Sequence, residues 1–358
     1  MSTGDADPTQ FRMPRASLDL SIALCTWNGA EWLPSFLHSI AEQERLPDEL
    51  VVQDDASTDD TLQILAEFAV DAPFPVRVER NEDRLGSSAN FERALTRCGG
   101  RFIALADQDD IWYPSKLRVL QAALEKDATV TMVFSDADLV DAAGRPLARR
   151  LWRTRMVERP LRKHSVVSGK MFARRALTTG CTVVLRRRAV EVAIPFPAVL
   201  SSSVAPMRHD RWLSLVAAAV GTVRAIPEPL LAFRIHPEQE TGVLVGSELS
   251  AALSRAAFDV LRDDATTQTE GHLVRAAQLE AAAERADVVG DFDSAAQLRS
   301  VAEQQRRRAL GAPTVGGRMK LVVEGMSEGE YGTSPLGIGS ALADLIRAAR
   351  LRTGTVSE

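Results

Sequence analysis

Five short apolar runs, each separated from the next by a helical pattern, constrain this chain more than any other feature of it. They fall at Leu18–Leu24, Glu49–Gln53, Val76–Glu79, Phe102–Ala106 and Val130–Phe134. Between them, helical spacing runs through Ala30–Glu42, Asp59–Val70, Ser87–Arg97 and Pro114–Glu125. Such alternation predicts an α/β domain with a mostly parallel sheet and crossover helices. Sheets of this kind bind ligands outside the carboxyl ends of their strands. Three of those ends carry polar loops: Cys25-Thr26-Trp27-Asn28-Gly29, Asp54-Asp55-Ala56-Ser57 and Asp107-Gln108-Asp109-Asp110. All three are expected to face one crevice.

From Asp136 to Val243 the alternation is less regular, with a strand at Thr182–Leu185, a helix at Arg211–Val220 and a strand at Leu230–Ile235. This region is expected to complete the same domain, which then spans 18–245. Residues 1–17 read as a loose polar tail without the apolar core of a signal peptide. Residues 246–358 read as a helical C-terminal appendage. Within it, Leu273–Ala286 and Ser294–Leu310 form a helical hairpin broken at Gly290-Asp291, and an amphipathic helix at Ser340–Leu351 follows a glycine-rich stretch. No internal repeat is visible.

With 358 residues, 45% of them hydrophobic, the chain can bury a large core, which excludes wholesale disorder. A net charge of −5 argues against a general nucleic-acid binder. The three cysteines, Cys25, Cys98 and Cys181, form no C-x-x-C pair. That pattern suits reduced thiols in a cytoplasmic protein better than a disulfide framework or a zinc site. The longest apolar stretch, near Leu213–Val220, is far short of the ~20 residues that cross a bilayer, so membrane contact is expected to be peripheral, on the inner face of the plasma membrane.

Asp107 and Asp109 follow an apolar strand and precede Pro114, which opens the next helix. Two carboxylates one residue apart at a strand end can hold a hard divalent cation that bridges diphosphate oxygens and neutralises a departing nucleoside diphosphate. An acidic loop that merely caps the helix is the competing reading. Asp55, at the end of a neighbouring strand, can accept the imide N–H of a uracil or thymine ring, or it too can be a cap. His209-Asp210-Arg211-Trp212 opens a later helix, where Asp210 is either another cap or a base placed to deprotonate a hydroxyl.

Taken together, Leu20-Ser21-Ile22-Ala23-Leu24-Cys25-Thr26-Trp27-Asn28-Gly29, Val51-Val52-Gln53-Asp54-Asp55-Ala56-Ser57-Thr58-Asp59 and Ala106-Asp107-Gln108-Asp109-Asp110-Ile111-Trp112 resemble the successive donor-site motifs of family 2 glycosyltransferases, which have the GT-A fold. The resemblance covers roughly Asp19–Gly242. It implies an inverting transferase that uses a UDP- or dTDP-sugar with Mg²⁺ or Mn²⁺. It places Thr26 and Asn28 at the nucleotide, Asp55 at the base N–H, Asp107 near the ribose and metal, and Asp109 on the metal. Asp210 becomes the catalytic base, with Trp212 beside the sugars and Gly180, of Gly180-Cys181-Thr182, beside the acceptor. Phe233-Arg234-Ile235-His236 resembles the family's Tyr-Arg-x-His, with Phe in place of Tyr. It implies Arg234 at the diphosphate and His236 at the diphosphate or the metal. Asp107–Trp112, Ser135-Asp136-Ala137-Asp138 and Gly329-Glu330-Tyr331-Gly332 are most similar to the rhamnosyltransferase-like branch, which favours dTDP-rhamnose and a role in cell-surface polysaccharide synthesis.

The expected acceptor is a glycan or a polyprenyl-linked glycolipid. The basic stretch Arg149-Arg150-Leu151-Trp152-Arg153-Thr154-Arg155, continuing through Arg159, Arg162, Lys163 and His164, reads as a solvated loop. Alternatively it holds a polyprenyl diphosphate or rests on an anionic membrane with Leu151 and Trp152 at the interface. The C-terminal helices could serve membrane docking or a homodimer. Two other classes compete. A sugar nucleotidyltransferase would need a glycine-rich phosphate loop, which Thr26–Gly29 is not. A non-catalytic scaffold of the same fold would not need Asp107, Asp109 and Asp210 together.

Overall fold

The computed structural model describes residues 18–154, 157, 158, 161, 165–239 and 265–310. The N-terminal tail, most of the basic stretch beyond Thr154, the Gly329–Gly332 motif and the amphipathic segment at Ser340–Leu351 lie outside them.

The predicted alternation is realised as β1 (Leu18–Thr26), α1 (Leu33–Ala41), β2 (Glu49–Asp54), α2 (Thr61–Asp71), β3 (Val76–Arg80), α3 (Ser87–Arg97), β4 (Gly100–Asp107), β5 (Ile111–Trp112), α4 (Lys116–Glu125) and β6 (Val130–Val140). There follow β7 (Pro146–Arg150), α5 (Leu151–Thr154), β8 (Val166–Val167), α6 (Gly169–Arg174), β9 (Val183–Arg186), α7 (Arg187–Ala193), α8 (His209–Ala219) and β10 (Thr222–Arg234). A hairpin of α9 (Ala265–Val288) and α10 (Phe292–Leu310) ends the described chain. The main strand order is β3-β2-β1-β4-β9-β6-β10-β5. The first four are parallel, β9 runs antiparallel to β4 and β6, and β10 runs parallel to β6.

Side chains alternate across a strand, so each strand feeds both faces of the sheet. Leu20, Ile22 and Leu24 join one core with Leu50, Val52, Phe102 and Ala104, under α1 and α4. Ala23, Val51, Ile103 and Leu105 join the other, under α3, α7 and α8. That double burial explains the near-continuous apolar runs.

The irregular region hides a longer strand than its pattern suggests. β10 begins at Thr222 and continues through Pro227 and Pro229 by register shifts against β6, because proline removes the ladder donor and forces a bulge. The basic stretch also differs from the membrane-facing reading. Leu151 and Trp152 are buried, the Trp152 ring lies 5.7 Å from Phe134 in a tilted arrangement, and its backbone N–H donates to Asp136 at 2.9 Å. The apolar contacts offered there to a lipid surface are spent on the core.

Candidate active site

Parallel register brings the three polar loops level: Thr26 lies beside Asp54, and Cys25 beside Asp107. The loops are then tied together. Asp54 is fully buried and accepts the Thr26 hydroxyl at 2.9 Å and the Ser57 amide at 2.9 Å. The Asn28 amide donates to Ser57 Oγ at 2.9 Å, while Asn28 Oδ1 accepts the Thr58 amide at 2.8 Å. Gln108 crosses from the third loop, accepting the Trp27 amide and donating to the Trp27 carbonyl, both at 2.9 Å. Gly29 makes room for it, since a Cβ there would sit 2.2 Å from Gln108 Oε1. Asn28 and Ala56 hold left-handed backbone conformations, with φ of 45° and 63°. Strain of this sort persists only where surrounding contacts impose it.

These loops line a cavity of about 570 Å³, within the usual range for small-molecule sites. Thr26, Asn28, Asp55, Asp107, Asp109, Gly180, Asp210 and His236 all reach it. Asp55 Oδ1 accepts Asn81 Nδ2 at 2.8 Å and the Leu85 amide at 2.7 Å, and Oδ2 accepts the Gly86 amide at 2.8 Å. A carboxylate oxygen accepts two hydrogen bonds, which leaves one place, on Oδ2, for a ligand donor.

In the acidic loop, His236 Nε2 lies 2.9 Å from Asp109 Oδ2, and its ring stacks on Trp32 at 3.8 Å. Beneath the loop, Asp110 is fully buried, and burial, with Asp109 and Asp107 adding to it, pushes its carboxyl well up. Lys116 lies under it, capped by the Trp112 ring at 3.6 Å and donating to the Cys181 carbonyl. Burial pulls this amine down to about 7 even though Asp110 and Asp107 attract it. The ligand atoms of Asp107, Asp110 and Cys181 fall within 4.8 Å of one another. The wall that meets solvent carries oxygen and imidazole donors from Asp107, Asp109 and His236, a set that fits a hard divalent cation.

Two expected site residues do not reach the cavity. Arg234 is buried beneath the acidic loop, donating from Nε to the Asp109 carbonyl and from Nη1 to the Ala142 carbonyl, each at 2.8 Å. Its guanidinium buttresses the loop and does not line the cavity. Trp212 is wholly buried on the core face of α8, with its indole N–H donating to the Ala193 carbonyl at 3.0 Å. A sugar contact through Trp212 is therefore ruled out in this geometry.

The opposite wall holds Asp210, in the first turn of α8, where its Oδ1 accepts the Arg211 amide at 2.7 Å. Next to it His209 stacks on Phe91 at 3.9 Å, and burial lowers its imidazole to about 4. A Cβ on Gly180 would sit 3.1 Å from His209 Nε2, so the glycine is explained by the imidazole packed against it. Sequence reasoning missed a further pair. Arg84 lies 3.4 Å above the Trp27 ring, and both line the cavity. Trp27 stands in the first strand-end motif but Arg84 belongs to no motif, so only the fold brings them together.

Residues 21–191 match the sequence profile described as Glycosyl transferase family 2. Over 225 residues the chain is 29% identical to an uncharacterised protein of Mycobacterium tuberculosis (strain H37Rv), covering 61% of this chain and 59% of that one. The chain thus spans under two thirds of that relative's length. It is 32% identical to a dTDP-rhamnosyl transferase, RfbG, of Shigella flexneri over 119 residues, or 32% of this chain and 38% of that one. Among solved structures, S. aureus TarS 1-349 in complex with UDP-GlcNAc superposes with a TM-score of 0.53 at 17% identity, covering 95% of this chain and 93% of that one. The fold is the GT-A arrangement, a mostly parallel sheet flanked by helices with C-terminal helices attached.

Proposed function

From the premise that residues 21–191 belong to glycosyl transferase family 2, we propose that this chain is an inverting transferase. It moves a sugar from a UDP- or dTDP-sugar to a hydroxyl of a glycan or glycolipid acceptor in cell-surface polysaccharide synthesis. One observation carries the reading: Asp55, the pair Asp107 and Asp109, and Asp210 arise from three separate loops or helix ends and line one cavity. The similarity to a dTDP-rhamnosyl transferase supports dTDP-rhamnose as the donor.

Each carboxylate has a distinct task in this scheme. Asp55 Oδ2 accepts the imide N–H of the base. Asp107, Asp109 and His236 would hold Mg²⁺ or Mn²⁺, which supplies positive charge against the departing diphosphate. Asp210 takes the proton of the acceptor hydroxyl as that oxygen bonds to the anomeric carbon and the bond to the diphosphate breaks on the opposite face. No covalent sugar–enzyme intermediate is required. Thr26 at the end of β1 and Asn28 in the loop after it shape the nucleotide wall, Thr26 through its bond to Asp54.

The test is release of UDP or dTDP when the protein is incubated with Mn²⁺ and each common UDP- or dTDP-sugar. Release of pyrophosphate from a nucleoside triphosphate and a sugar phosphate would instead mark a nucleotidyltransferase, and silence in both assays a scaffold. Asp210→Asn is expected to cut transfer by about 10²–10⁴-fold, the usual worth of a general base, while leaving donor affinity in calorimetry near wild type. Transfer by Asp210→Asn at the wild-type rate would remove Asp210 as the base. Asp109→Asn is expected to lose both transfer and its dependence on added Mn²⁺.

A further inference from the structure

His209 lines the cavity next to Asp210 but has no task in the transfer assigned so far. Its surroundings fix the residue at every point except one nitrogen. Phe91 stacks on the ring at 3.9 Å, Nδ1 lies 3.5 Å from Ser87 Oγ, and the backbone N–H donates to Ser88 Oγ at 3.2 Å. Nε2, across the ring from these contacts, is buried and has no hydrogen-bond partner among the described residues. A buried polar atom without a partner is costly, and in the wall of a cavity it calls for a ligand group that completes it.

Gly180 shows where that group would sit. A Cβ there would lie 3.1 Å from His209 Nε2 and 3.8 Å from Asp210 Cβ, so the missing side chain leaves a notch that both residues border. Gly180 lines the cavity with them. Burial keeps the imidazole neutral by lowering it to about 4, so a phosphate would find no charge to pair with. A hydroxyl both donates and accepts, and it therefore satisfies Nε2 in either tautomer of the neutral ring. The contacts on the far side of the ring tell which hydroxyl. Ser87 and Ser88 open α3 directly after Gly86, whose amide donates to Asp55. The segment that closes on the base-binding carboxylate thus also holds His209, which places the imidazole on the donor's side of Asp210.

We propose that His209 Nε2 binds a hydroxyl of the donor sugar, seated against Gly180 beside Asp210. The inference rests on the transferase reading, with Asp55 at the base and Asp210 as the proton acceptor. A hydroxyl held at Nε2 stops the sugar from turning about its bond to the diphosphate. The anomeric carbon then keeps one orientation toward the incoming oxygen, which is the positioning that transfer requires. His209 also becomes a determinant of donor choice. A sugar without a hydroxyl at that place leaves the buried nitrogen unpaired and is rejected for it.

The experiment is calorimetric titration of the full chain, with Mn²⁺ present, by UDP, dTDP and each common UDP- and dTDP-sugar. What is read is the affinity of a sugar conjugate relative to its bare nucleotide. Wild type is expected to bind at least one conjugate more tightly than the nucleotide. His209→Phe keeps a ring against Phe91 but has no nitrogen. It should lower that ratio about tenfold, as loss of one hydrogen bond implies, and leave bare-nucleotide affinity unchanged. His209→Gln, which restores an amide able to donate or accept, should recover part of the ratio, a rescue that a purely structural role would not give. Should His209→Phe fail to fold, Gly180→Ala decides, because its methyl fills the notch and should lower the same ratio. A ratio equal to wild type in the deciding variant overturns the inference. So does a wild type that binds no conjugate more tightly than its nucleotide. Nucleotide binding with an unchanged ratio sinks the role of His209 alone, whereas a chain that binds neither nucleotides nor conjugates takes the transferase reading down with it.

Discussion

His209 stays neutral because it is enclosed between Phe91 and Gly180, and that enclosure makes the fold sensitive to acid. The free imidazole takes up a proton near 6.5, but in the folded chain it does so only near 4. Between those values the unfolded state binds more protons, so stability falls as pH drops, by about 3 kcal/mol in all. His209→Phe, which keeps a ring against Phe91, is expected to flatten the fall in urea midpoint between pH ~7 and ~4.5. An unchanged slope would assign the acid sensitivity to other groups. Single-residue roles were the least legible part of the sequence. Asp107, Asp109 and Asp210 stand in recognisable spellings and reach the cavity, whereas Arg234 and Trp212 stand in equally recognisable ones and do not. Spelling reports which residue is present, while the direction of its side chain depends on neighbours distant in sequence. Asp109 and Ala142 offer their carbonyls to Arg234, and Ala193 offers its own to Trp212.

At the scale of elements, the site depends on how tightly three strand-end loops are stitched to each other. Gly29 and Gln108 form the sharpest of these contacts, so Gly29→Ala must displace the Gln108 side chain from the Trp27 backbone. Overpacking of this kind costs about 1–3 kcal/mol. Urea unfolding of Gly29→Ala, Gln108→Ala and the double variant should give a double-variant loss smaller than the sum, because removing Gln108 relieves the clash. Additive losses would mean that the loop adapts without cost. The strands themselves were legible because burial on both faces leaves a continuous apolar run. β10 was only half legible, since the pattern predicts a strand at Leu230–Ile235 whereas the strand begins at Thr222 and runs through Pro227 and Pro229. The structure accommodates them by register shifts against β6.

Over the whole molecule, the hairpin shares one core with the sheet. Ala276, Leu279, Ala283, Leu298 and Val301 are buried in the same apolar cluster as Trp212, Leu213 and Val216 of α8, the helix that presents Asp210. Leu279→Ala is therefore expected to cost about 2–5 kcal/mol and to lower the stability of the sheet along with the hairpin. Intrinsic tryptophan fluorescence and far-UV helicity should shift by the same amount in urea. Separate transitions would show that the hairpin folds independently. The sequence by itself determined the class of fold, the strand ends that carry chemistry and the acidic residues available there, because burial periodicity and residue type are local properties. Only the tertiary structure decided which of those residues meet, that Leu151 and Trp152 face the core, and that the α9–α10 hairpin shares its core with α8. Each of those outcomes depends on the packing of segments far apart in the chain, and no local pattern encodes it.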